Sequence, residues 1–194
     1  MSKLPNVLTV LRILLTLVFL AFIFKQGLLF KGFAFFIFVV ASCTDFFDGY
    51  FAKKYNGVSN FGKLMDPVAD KFLILSAFFV FTQMHLIALW MFGVIFLREV
   101  IITGVRLAAM RNGHILPAEK AGKYKTVSQI VAIYFILVFL ILQEIHFFHA
   151  TPSLFLGWQY GIQALMLIVV FSTLFSGIWY FWHYGRFIYV RQAY

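Results

Sequence analysis

Apolar residues run along this chain in six long blocks, separated by short polar interruptions. A helix needs about 20 mostly apolar residues to cross a bilayer, with a range of roughly 17–25. The blocks Val7–Phe24, Phe33–Ala52, Gly62–Thr82, Leu86–Met110, Thr126–Leu142 and Leu154–Tyr184 reach or exceed that range. Their connectors are brief: Lys25–Lys31, Tyr55–Asn60 and a tight turn at Gln83–His85. Arg111–Lys125 is the longest polar loop, and Gln143–Ser153 carries Glu144, His146, His149 and Pro152. The pattern predicts an all-α polytopic membrane protein with six transmembrane helices, forming one membrane domain over residues 1–194. Ahead of the first block, Pro5 and Asn6 within Lys3–Arg12 predict a short N-terminal interfacial helix before the chain turns into the membrane.

Composition agrees with the pattern. Hydrophobic residues make up 63% of the chain and charged residues 12%, about half the charged share of an ordinary soluble domain. That leaves too little polar surface to wrap a water-soluble core. Cys43 is the only cysteine, which excludes an intramolecular disulfide and a cysteine zinc site. No small-residue cleavage pattern follows the first block, so it is expected to remain as a membrane helix.

The net charge of +9 would suggest nucleic acid in a soluble protein. Here the basic residues fall in short loops between apolar blocks, which fits topology signalling and anionic lipid or phosphate substrates, with no nucleic-acid partner. With a cytoplasmic N-terminus, one face carries Lys3, Arg12, Lys53, Lys54, Lys63, Arg111, Lys120, Lys123, Lys125, Arg186 and Arg191, and the other carries Lys25 and Lys31 in its loops. That asymmetry places both termini in the cytoplasm.

Of seven acidic residues, four lie between Asp45 and Asp70. Asp45, Asp48, Gly49 and Ala52 fall at i, i+3, i+4 and i+7 of one predicted helix and so share a face. Gly62, Asp66 and Asp70 fall at i, i+4 and i+8 of the next. Between them Tyr55-Asn56-Gly57 is a turn signal, and Ser59 or Asn60 can cap the second helix. The two helices are expected to pack antiparallel, bringing their acidic faces together at one membrane edge. Two unit charges ~5 Å apart repel by about 3 kcal/mol at an effective dielectric near 20, so the cluster calls for protonation or cations. Carboxylate oxygens select Mg²⁺, Mn²⁺ or Ca²⁺, and two ions sharing carboxylates is a common phosphoryl-transfer arrangement. Small residues on the same faces leave room for a bulky ligand, and Pro67 is expected to bend its helix. Lys53, Lys54, Lys63 and Lys71 are also available as ordinary salt-bridge partners for the aspartates.

The stretch Asp45-x-x-Asp48-Gly49-x-x-Ala52-Lys53, then eight residues, then Gly62-x-x-x-Asp66-x-x-x-Asp70 resembles the signature of the CDP-alcohol phosphatidyltransferases. Lys53 stands where that signature has Arg, which keeps the charge and loses the bidentate fork. LPNVLTVLR near the N-terminus, NFGKLMDPVADK, Leu97–Arg106 and Ala121–Thr126 are similar to the branch that makes phosphatidylglycerophosphate. The resemblance covers most of the first 130 residues. It implies a homodimer. The size and compactness of the chain fit a bacterial inner membrane, and the basic residues put the active site on the cytoplasmic side. The resemblance also implies CDP-diacylglycerol as donor, sn-glycerol 3-phosphate as acceptor, and Mg²⁺ or Mn²⁺, two ions per site. By the same resemblance Asp45, Asp48, Asp66 and Asp70 hold metal and Asp70 is the catalytic base. Gly49, Ala52, Lys53, Ser59 and Gly62 then bind the CDP-lipid.

A phosphorylated acceptor needs a cationic pocket. Arg98 and Arg106 lie on roughly one helix face inside an apolar block, with Lys123 and Lys125 in the following loop. Arg98 is also free to pair with its neighbour Glu99. No Ser, Cys or His stands out as a covalent nucleophile, so direct attack is expected. His85, His146, His149 and His183 fall near block ends and read as interfacial, as do Trp158, Trp179 and Trp182; His114 lies in the long loop. Three other functions compete: the same enzyme family with serine, an inositol phosphate or a lipid as acceptor; an aspartate-rich membrane prenyltransferase; and a divalent-cation transporter.

Overall fold

Lipid offers no hydrogen bonds, so an apolar segment that crosses it must satisfy its own backbone, and a helix does so within one segment. A computed structural model shows this outcome; it describes the backbone of residues 4–55, 60–111, 120–145, 147 and 152–189, and the side chains of residues 10–44, 71–109, 122–145, 147 and 153–183. The described residues form α1 (Leu4–Ile23), α2 (Leu28–Tyr55), α3 (Asn60–Gln83), α4 (Leu89–Arg111), α5 (Lys120–Glu144) and α6 (Pro152–Tyr189).

The helices overrun several apolar blocks, because helical hydrogen bonding continues past the last apolar residue until a backbone signal stops it. Lys31 therefore lies in the first turns of α2 and not in a loop, and Lys125 lies inside α5. No separate interfacial helix precedes α1 over the described residues: α1 runs unbroken from Leu4, with Pro5 in its first turn, where the missing N–H has no intrahelical acceptor to lose. α3 likewise continues through Pro67. Asn60 opens α3, while Ser59 lies outside the described residues.

Two of the helices, over Gly122–Glu144 and Ser153–His183, are long and apolar enough to cross a membrane; Val10–Ile23, Leu28–Thr44 and Lys71–Gln83 are shorter apolar helical stretches. Large apolar side chains cover much of the outside, including Leu29, Leu89, Phe171, Ile178 and Trp182. Such a surface is costly in water and suited to acyl chains, and the protein is a membrane protein.

Inside, Phe19, Phe38, Phe78, Phe81, Ile133, Phe139 and Met166 build one core. α1 packs on α2 and α3, α5 on α2, α3 and α6, and α4 on α3 and α6. The expected direct packing of α2 on α3 is not among these described contacts; α1 lies against both. Trp158 stacks on Phe135 at 4.3 Å between ring centroids. Trp179 and Trp182 are exposed.

Two turns are built by identifiable devices. α3 ends with His85 in the left-handed region, φ 57°. The Leu86 N–H donates to the Phe81 carbonyl and the His85 N–H to that of Thr82, each at 3.0 Å. That is a Schellman cap with histidine at the position glycine usually takes. Between α1 and α2, Gly27 has φ 108°, which glycine adopts without strain. Its N–H donates to Glu144 Oε2 at 2.9 Å, and Lys31 Nζ donates to the Ile23 carbonyl at 2.6 Å, capping the end of α1.

Candidate active site

Asp45, Asp48, Gly49, Ala52 and Lys53 lie on the last turns of α2; Gly62, Asp66 and Asp70 lie on the first turns of α3. Residues 56–59 alone separate the two helices, so the two halves of the aspartate motif occupy adjoining helix ends. The side chains of these residues lie outside the described ones. The donor set itself suits a divalent cation: four carboxylates at i, i+3 on one helix and i, i+4 on the next offer hard oxygens and negative charge.

Lys71, the residue after Asp70, belongs to a buried ionic cluster. Glu99 of α4 is 3% exposed and contacts three cations from three helices. Its Oε2 meets Lys71 Nζ of α3 at 3.1 Å. Its Oε1 accepts from Arg98 Nη1 at 3.1 Å and from Lys125 Nζ of α5. Arg98 Nη2 goes on to donate to Ser176 Oγ of α6 at 2.8 Å. Two turns beyond Arg98, the Arg106 guanidinium lies 5.4 Å from the centroid of the buried Tyr180 ring. Four helices thus converge on this cluster, which explains why α4 packs between α3 and α6.

The charges do not balance. Lys71, Arg98, Arg106 and Lys125 carry four formal positive charges, and Glu99 supplies one negative charge among the described residues nearby. The Nε atoms of Arg98 and Arg106 are buried with no hydrogen-bond partner among the described residues. Uncompensated cations are expensive in a membrane interior and mark functional sites. An excess of +3 over the described side chains, lined by N–H donors unused among them, suits an anion with several oxygens, such as a phosphate.

The sequence profile of the CDP-alcohol phosphatidyltransferases matches residues 2–175, nearly the whole chain. The chain belongs to that family. A CDP-diacylglycerol–glycerol-3-phosphate 3-phosphatidyltransferase of Bacillus subtilis (strain 168) is 36% identical over 193 residues, covering 93% of this chain and 94% of the relative. A probable phosphatidylglycerophosphate synthase of Mycobacterium tuberculosis is 39% identical over 135 residues, which is 68% of this chain and 64% of that protein. A CDP-diacylglycerol–glycerol-3-phosphate 3-phosphatidyltransferase of Rickettsia typhi is 36% identical over 135 residues, 69% of this chain and 75% of the relative.

Within this family member, the expected acceptor residues divide. Arg98 and Arg106 do lie on one side of α4, both turned toward α6. Lys125 is no loop residue: it is buried at 4% exposure against Glu99. Lys123, two positions earlier on the same helix, is exposed and outside the cluster. Lys71, read from sequence as an available partner for the aspartates, whose side chains lie outside the described residues, pairs with Glu99. Arg12, grouped with the cations of the cytoplasmic face, is buried in α1 at 1% exposure.

Glu99 as a hub, and Ser176 and Tyr180 as neighbours of the two arginines, were missed. The adjacent Arg98 and Glu99 inside an apolar block were a signal for the first. Nothing in the hydrophobic pattern of α6 distinguishes the other two, which also lie just past the end of the family match.

Proposed function

We propose that this chain transfers the phosphatidyl group of CDP-diacylglycerol to sn-glycerol 3-phosphate, releasing phosphatidylglycerophosphate and CMP. The observation that carries this reading is a join on α3. Lys71 belongs to the cationic cluster, and the residue before it, Asp70, closes the aspartate motif. An acceptor whose phosphate enters the cluster has its hydroxyl beside the aspartates. The names of the relatives from Bacillus subtilis, Mycobacterium tuberculosis and Rickettsia typhi support the same donor, acceptor and product.

In this scheme the acceptor hydroxyl oxygen attacks the phosphorus that carries diacylglycerol. A new P–O bond forms, the P–O bond to CMP breaks, and CMP leaves with the bonding pair. Asp70 takes the hydroxyl proton as general base. Arg98, Arg106 and Lys125 hold the acceptor phosphate, and the exposed Lys123 adds attraction at the entrance. Gly49, Ala52 and Gly62 leave space for the cytidine nucleotide, with Ser59 beside it, and Lys53 meets a donor phosphate. Asp45, Asp48, Asp66 and Asp70 would hold Mg²⁺ or Mn²⁺, read as two ions; when bound, these offset negative charge on the carboxylates and the donor diphosphate.

The surrounding architecture belongs to the same proposal. All six helices span a bacterial inner membrane as a single domain over residues 1–194, both termini and the aspartates face the cytoplasm, and the enzyme works as a homodimer. The segregation of basic residues supports the orientation.

The test is CMP release by purified protein in detergent with CDP-diacylglycerol and Mg²⁺, comparing glycerol 3-phosphate, serine, an inositol phosphate and no acceptor. Release is expected only with glycerol 3-phosphate. Release with another acceptor would replace the acceptor assignment, and none with folded protein would return the metal-site reading without catalysis.

A further inference from the structure

Glu99 can neutralise only one of the three cations it contacts, so its effect on the others is chiefly geometric. Its two oxygens take different partners: Oε2 the Lys71 ammonium at 3.1 Å, Oε1 the Arg98 guanidinium at 3.1 Å together with the Lys125 ammonium. Those partners come from α3, α4 and α5, and the Arg98–Ser176 hydrogen bond extends the set to α6. Lysine and arginine side chains are long and rotamer-rich, and three like charges in a low-dielectric interior would spread apart if left alone. A single buried carboxylate overcomes that repulsion at close range while leaving these four side chains at a formal +2.

We propose that Glu99 is a positioning residue for the acceptor's phosphate: it touches no substrate, and it holds Lys71, Arg98 and Lys125 convergent, so that the excess positive charge is presented as one pocket beside the aspartate end of α3. This rests on the acceptor reading given above. The shape of the cluster supports it over a plain structural ion pair. A structural pair in an apolar interior gains most when its charges cancel, whereas this one retains, among the described residues, a net positive charge and unused arginine N–H donors.

The experiment compares wild type, Glu99→Gln and Glu99→Asp in two assays: steady-state kinetics with each substrate varied in turn, and the shift in Tm caused by inorganic phosphate. Glu99→Gln removes the anchoring charge and should raise the KM for glycerol 3-phosphate about tenfold, leaving the donor KM within about twofold and kcat much less affected. Glu99→Asp keeps the charge but retracts the carboxylate by one methylene, and should give an intermediate rise, about threefold. Inorganic phosphate should stabilise the wild type and lose that effect in Glu99→Gln. If Glu99→Gln does not accumulate as folded protein, the aspartate variant decides alone. An unchanged acceptor KM in either folded variant, or equal rises in both substrates' KM values, overturns the proposal. If wild type releases no CMP with glycerol 3-phosphate, the acceptor reading fails by itself; a phosphate shift that still depends on Glu99 would keep the positioning role for a different phosphorylated ligand, and a shift insensitive to Glu99 would overturn both.

Discussion

Glu99 and Glu144 each sit on a helix of the bundle with lysine close by, yet their surroundings differ in one decisive respect. Around Glu144 the polar groups are used up locally: its carboxylate accepts the Gly27 N–H, and the neighbouring Lys31 ammonium caps the Ile23 carbonyl. Around Glu99 the described residues include more cations than one carboxylate can satisfy, and arginine N–H groups without a partner among them. The two sites lie toward opposite ends of α5, where Lys125 and Glu144 are separated by roughly 28 Å at 1.5 Å per residue. That is close to the ~30 Å thickness of a bilayer's hydrocarbon core. Under the proposed function the group whose described charges fail to cancel binds the acceptor phosphate, and the group whose donors and acceptors are matched is a structural clamp.

The comparison predicts separable consequences. At the charged end, Asp70→Asn should lower kcat by at least about 10³-fold, within the range for loss of a general base, while donor binding persists; near-normal turnover would remove Asp70 as the base. Next in size, Arg106→Ala should raise the glycerol 3-phosphate KM by about tenfold or more, equivalent to ~1.4 kcal/mol, without altering thermal stability to the same degree. An unchanged acceptor KM would take Arg106 out of the pocket.

At the clamp end the effects should be on stability alone. Glu144→Gln weakens a charge-assisted hydrogen bond to the Gly27 N–H and should cost about 1 kcal/mol, read as a lower Tm with both KM values retained. A change in acceptor KM there would break the distinction. The smallest effect is expected at the α3–α4 turn, on the same side of the bundle by chain connectivity. His85→Gly relieves a left-handed residue and should raise stability by about 0.5–1 kcal/mol, again with kinetics unaffected.

Local patterns were legible from the sequence because they depend on spacing along one helix. Six apolar blocks became the six described helices, and the aspartates lie at the ends of α2 and α3 where the turn signal divides them. The signature that carries the family lies in that same contiguous stretch. Even within single helices the reading had limits: apolarity marks where lipid is, whereas helix ends depend on caps such as His85 and the Ile23 carbonyl held by Lys31.

Tertiary structure decided which charges meet. Residues 71, 99, 125 and 176 are far apart in sequence, on four different helices, and no periodicity predicts that Lys71 and Lys125 reach the same carboxylate. Packing of α4 against α3 and α6, with α5 alongside, brought them together, and the same packing left Lys123 at the surface two residues from the buried Lys125. The sequence by itself determined the helices, the family and the positions of the aspartates, because hydrophobic period and motif spacing are properties of a contiguous chain. The convergence of cations on Glu99 was decided by the tertiary structure alone, because it depends on how independent helices pack and rotate against one another.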